Sequence, residues 1–183
     1  MLFTDKIDKK TASSRVAFGG LMLTLALILS YVESLIPLGA IVPIPGFKLG
    51  LANVVVMIIF VYSSPADACV VSFLRVLISS VLFGSVPALW FSFLGAAMSL
   101  AALAVMRAVK FRGMSWVGVS VVCAVSHNAG QLIAAATVLG GGLSVAWYFP
   151  WLLVMAVICG TVTGGVVCVT DKKLQRRTLH NGT

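Results

Sequence analysis

The stretch WYFPWLLVMAVICGTVTGGVVCV, residues 147–169, runs without a single charged side chain. At 1.5 Å of rise per residue, a helix of about 20 such residues spans the ~30 Å hydrocarbon core of a bilayer. Its apolar residues are continuous and do not alternate in period two, so it reads as a helix and not as a barrel strand. Working outward from it, the same pattern recurs at 16–36, 66–83, 88–106 and 116–139, with a shorter version at 49–62. The breaks between runs are rich in Pro, Gly and Ser: Pro37 to Lys48, Ser63-Ser64-Pro65, Gly84-Ser85-Val86-Pro87, and Gly140-Gly141-Gly142. Proline and glycine cannot continue a helix cheaply, so these breaks read as turns and loops.

Composition agrees. Of 183 residues 60% are hydrophobic and 10% are charged, with a mean hydropathy of +1.09. A soluble domain carries about 25% charged residues. One small core could not hide this much apolar surface, so the bilayer is the solvent. The expected fold is an all-α integral membrane bundle of about six transmembrane helices. A basic tail at 1–15 and another at 171–183 flank a transmembrane domain at 16–170. The first apolar run is followed by no small-residue cleavage site, so it reads as a retained span and not as a signal peptide.

The net charge of +8 does not point to nucleic acid. Lys6, Lys9, Lys10 and Arg15 precede the first span, Arg107, Lys110 and Arg112 lie between the fourth and fifth, and Lys172, Lys173, Arg176 and Arg177 follow the sixth. No aromatic-basic stacking surface accompanies them. Cationic loops stay on the cytoplasmic side, so this distribution places both termini there and requires an even number of crossings.

Ionisable groups inside a membrane are costly, by about 2.5–3.5 kcal/mol for Arg, Lys or Asp at a helix centre on insertion scales. Glu33, Lys48, Asp67, Arg75 and His127 therefore stand out, with Asn53, Asn128 and Gln131 adding polarity. Arg75 falls near the middle of the third span, and His127, Asn128 and Gln131 near the middle of the fifth. His127 and Gln131 are four apart and share a helix face. One reading is a ligand-binding cavity open to the outside, lined by Glu33, Lys48, Asn53, Arg75, His127, Asn128 and Gln131. The other is a structural network in which Glu33 pairs with Lys48 or Arg75 and the amides satisfy one another. Asp67 reads as a charge favoured by a helix N-terminus.

Other residues have simpler readings. Cys69, Cys123, Cys159 and Cys168 lack metal or CxxC spacing and read as small buried hydrophobes. Gly160 and Gly164, and Ser13 with Ala17, allow close helix approach. Trp90, Trp116, Trp147 and Trp151 lie near span ends, as interfacial aromatics do. No GxxxxGK[ST] loop, no acidic pair for Mg²⁺ on a diphosphate and no metal cluster is present, so neither an enzyme nor a cofactor is expected.

The segments Pro45-Gly46-Phe47-Lys48-Leu49-Gly50-Leu51-Ala52-Asn53, Phe73-Leu74-Arg75 through Gly84, and Ser126-His127-Asn128-Ala129-Gly130-Gln131 resemble the bacterial membrane family called "Gx transporter" or "heptaprenyl diphosphate synthase component I". The likeness spans about 16–169. The first name implies a likeness to the substrate-binding S component of energy-coupling-factor (ECF) importers, in the bacterial cytoplasmic membrane. That would mean a solute captured from outside beneath a lid between spans one and two. A transmembrane T component and two ATPase subunits would then drive transport. That family carries an alanine pair in span one, for which Ser13 with Ala17 is the nearest match here. The second name implies a non-catalytic partner of a soluble prenyl diphosphate synthase, since the DDxxD helix of such enzymes is missing. A membrane subunit of a quinone-handling redox assembly ranks last. The expected ligand is small and anionic or amphiphilic, of isoprenoid- or quinone-related type.

Overall fold

The computed structural model describes residues 12–36, 48, 50–109, 114–140 and 147–180. The expected lid at 37–47, the basic tail at 1–11, residues 110–113 of the basic loop and Gly141-Gly142 lie outside them. The described residues form six helices and no strand: α1 (Ala12–Ser34), α2 (Asn53–Tyr62), α3 (Pro65–Phe83), α4 (Val86–Ala108), α5 (Trp116–Leu139) and α6 (Phe149–His180). All but α2 are long and apolar enough to cross a membrane, which makes the chain a multi-pass membrane protein.

Local chemistry sets the starts. Ser64, Ser85 and Ser115 each precede a helix, and their hydroxyls accept from the backbone N–H of Asp67, Ala88 and Gly118. Pro65 and Pro87 sit in the first turns, where no amide hydrogen is needed. At its far end α5 stops on Gly140, whose φ of +62° is left-handed.

The expected second span is shorter than a membrane crossing. It begins at Asn53 and not at Leu49, and its ten residues rise about 15 Å, half the hydrocarbon core. Of these, only the first and last, Asn53 and Tyr62, are strongly polar. Val55, Val56, Met57, Ile59 and Phe60 are all buried, as befits a helix that is apolar on every side. Ala26, Leu103, Val119 and Val167 join the core around it. Tyr62 donates to Asp171, which also accepts from the Trp116 indole at 3.0 Å. Asn53 meets Arg75 from the centre of α3. The start of α2 therefore sits deep in the bundle.

On the other side, α4, α5 and α6 pack backbone to backbone. A methyl group at Gly160 would lie 2.6 Å from Val121 Cα, and one at Gly164 2.5 Å from Val117 Cα. The GxxxG pair thus serves packing within the chain. Gly130 fits against the Leu94 carbonyl in the same way. Ser120 and Thr163 hydrogen-bond across this interface at 2.5 Å.

Some single-residue expectations need correction. Trp116 is buried against the protein and donates to Asp171, so it does not face outward as Trp147 and Trp151 do. Cys69 is exposed, so burial does not hold for all the cysteines; all four are free thiols. Asp67 does occupy the first turn of α3, and it also pairs with Arg15 of α1 at 2.9 Å.

Candidate functional site

The site is built around one glycine. Gly50 has a φ of +79°, a region that glycine enters at little cost. Its N–H donates to Glu33 Oε1 at 2.5 Å. Bonds from Asn53, Val54 and Val55 N–H to the carbonyls of Gly50, Leu51 and Ala52 then wind the chain into α2. Ala52 offers no side-chain cap. The Glu33 carboxyl group, arriving from α1, holds the chain at Gly50 just ahead of the positive end of the helix. Among the described residues Glu33 forms no ion pair with Arg75 or Lys48, whereas Arg15 and Asp67 do pair.

A side chain at position 50 would collide with two more members of the site. Its Cβ would lie 2.9 Å from Asn53 Nδ2 and 3.1 Å from His127 Cδ2. Asn53 Oδ1 accepts from Arg75 Nη2 across a long 3.4 Å. The His127 ring lies against Gly95 of α4, where a methyl group would stand 2.6 Å from Cε1. Gln131 Nε2 approaches His127 Nε2 at 3.1 Å. An amide nitrogen only donates, so this ring nitrogen accepts and Gln131 Oε1 is left over.

Glu33, Asn53, Arg75, His127 and Gln131 are thereby brought together from α1, α2, α3 and α5. Lys48 is partly buried beside them. Burial lowers its ammonium pKa below the ordinary value, with Glu33 opposing that change and Arg75 adding to it. Asn128 belongs elsewhere: its amide donates to the Leu152 carbonyl at 2.7 Å and ties α5 to α6. Sequence reasoning missed Gly50 and Gly95 as site residues. Gly50 sat in plain view in the KLGLAN segment, while nothing local marks Gly95.

Arg75 is only 5% exposed, and Glu33 and Gln131 are 2% and 1% exposed. Even so, Arg75 Nε, Glu33 Oε2 and Gln131 Oε1 have no hydrogen-bond partner among the described residues. Leaving such groups unpaired in a low-dielectric interior costs about 1–3 kcal/mol each, more when charged. Beside Gly50 and Asn53 lies a cavity of about 20 Å³ that reaches Met57, Cys123, Cys159 and Thr163. It has room for one water-sized group. The local balance is two cationic side chains against one carboxylate, which favours an anion. Among the described residues no three His, Cys, Asp or Glu side chains are grouped to hold a metal.

No curated protein and no solved structure matches the chain. The model of the family described as heptaprenyl diphosphate synthase component I matches residues 22–169, which include α2 to α5 and every residue of the site. The chain therefore belongs to the heptaprenyl diphosphate synthase component I family.

Proposed function

We propose that the chain is a non-catalytic, membrane-embedded binding component that captures a small anionic or amphiphilic molecule. In this reading it is the S component of an ECF-type importer in a bacterial cytoplasmic membrane. Both termini face the cytoplasm and the Gly50 cluster opens outward. A T component and ATPase subunits supply the energy. The observation that carries it is Arg75, buried at the middle of α3 with one long amide contact and an unpartnered Nε. A cation so placed calls for an anion. The broken start of α2 adds the positive end of a helix, as in membrane transporters whose discontinuous helices point at anionic substrates.

Native mass spectrometry on protein extracted gently from its own membrane tests this. A small molecule retained by the wild type and lost from Arg75→Ala, together with an ATPase partner, is the expected result. Equal retention by Arg75→Ala would sink the assignment. A second reading rests on the family description: a non-catalytic membrane subunit that assists a prenyl diphosphate synthase and holds an isoprenoid. In that case a soluble synthase co-purifies and no ATPase does.

A further inference from the structure

The unpartnered atoms around Gly50 are of two kinds, and their mixture restricts what can bind. Arg75 Nε–H is a donor, with its charge unmatched by a carboxylate at ion-pair distance among the described residues. His127 Nδ1, which carries the ring hydrogen when Nε2 accepts, is a second donor, while Gln131 Oε1 and the ionised Glu33 Oε2 are acceptors. Glu33 Oε1 is already committed to Gly50 N–H, and the Gln131 amide nitrogen is committed to His127. These commitments orient the remaining oxygens. Gln131 Oε1 is an acceptor whatever the pH, so a ligand made only of acceptors would leave it, and an ionised Glu33 Oε2, unsatisfied.

We infer that the Gly50 cluster recognises a head group carrying a negatively charged acceptor and an N–H or O–H donor on neighbouring atoms. The anion meets Arg75 and Lys48, and the donor meets Glu33 and Gln131. This rests on the proposed binding role and narrows it. A fully ionised diphosphate or a quinone offers acceptors alone, and its oxygens would face the Glu33 carboxylate. Sites built to hydrogen-bond a donor reject analogues that lack it, because the protein's own buried polar atoms are then left unpaired. An apolar tail is compatible with this rule; a head group without a donor is not.

The test uses wild-type, Glu33→Gln and Gln131→Leu protein extracted from the native membrane, with tandem mass spectrometry to give the composition of whatever small molecule is retained. The expected molecule bears an acidic group and a separate N–H or O–H. Its occupancy should fall about tenfold in each variant, the loss of one hydrogen bond to a buried acceptor. Glu33→Gln keeps an oxygen for Gly50 N–H, so its unfolding temperature should stay near that of the wild type and separate lost binding from lost fold. A retained prenyl diphosphate or quinone would overturn this inference and leave the binding role standing. So would unchanged occupancy in both variants. Wild-type protein that retains no molecule would overturn the binding role itself, and this inference with it.

Discussion

The two sides of the bundle are held by different means. In α4, α5 and α6, Gly130, Gly160 and Gly164 form floors against neighbouring backbone, with no space for a methyl group. In α1, Gly19 and Gly20 have nothing among the described residues within 4 Å of where a methyl would lie. Of the residues of α1 only Ala26, Ser30 and Glu33 are buried. Ala26 reaches the core from the middle of that helix, with Phe18, Met22, Leu23 and Leu29 packed beside it. The polar and aromatic ties of α1 lie near its ends, Arg15 on Asp67 at one and Glu33 on Gly50 with Tyr31 against Phe83 at the other. Glycine is abundant in both regions, so its presence alone says little. What it touches decides whether it is a packing device or a bare stretch of helix.

The largest effect is expected where backbone meets backbone. Gly130→Ala would drive a methyl group into the Leu94 carbonyl, and neither helix can yield without moving its own chain. Overpacking of this kind costs about 3 kcal/mol. A mild-detergent unfolding titration should show most of the stability lost. A variant as stable as the wild type would mean that the α4–α5 contact is looser than the geometry requires, and the comparison would collapse.

Gly50→Ala comes next. A left-handed backbone costs a non-glycine residue about 1–2 kcal/mol, before the crowding against Asn53 and His127 is counted. This substitution should also lower retention of any bound molecule, because it pushes apart two members of the site. Stability loss with full retention would show that Gly50 serves the entry into α2 alone.

How much of this was legible beforehand follows from what sets each feature. The spans were readable because apolar runs broken by Pro, Gly and Ser leave few choices in a bilayer. Ser64, Ser85 and Ser115 start helices within a few residues of the expected places. The sequence alone starts α2 too early because Leu49-Gly50-Leu51-Ala52 is apolar enough for a span, while the left-handed Gly50 is held by Glu33, 17 residues away. Arg75, His127 and Gln131 declared themselves by their cost in a membrane. The role of Asn128 in tying α5 to α6 depends on which side of α5 meets α6. That Trp116 is buried depends on Asp171, 55 residues further along. Lateral packing of this kind leaves no local trace in the chain.

A smaller effect tests the polar tie at the start of α1. Arg15→Ala removes an ion pair whose side chains are 45% and 27% exposed. Pairs so exposed contribute at most about 1 kcal/mol. The same unfolding titration should move by no more than that. A shift as large as that of Gly130→Ala would show that α1 depends on this one clip, with Glu33 at the other end contributing little.

The smallest change should come from Gly19→Ala. In water, replacing a helical glycine by alanine gains about 1 kcal/mol through backbone entropy. In the bilayer the unpaired backbone is already excluded, so the helix forms whichever residue is present. With open space around position 19 there is nothing to strain. The unfolding midpoint should therefore stay within about 0.5 kcal/mol of the wild type, as for substitutions away from packed contacts. Gly160→Ala, measured beside it, meets Val121 Cα and should lose several times more. The contrast between the two isolates contact from composition, since the same chemical change is made in two apolar helices. Equal losses would mean that position 19 is covered in the membrane by a surface outside the described residues.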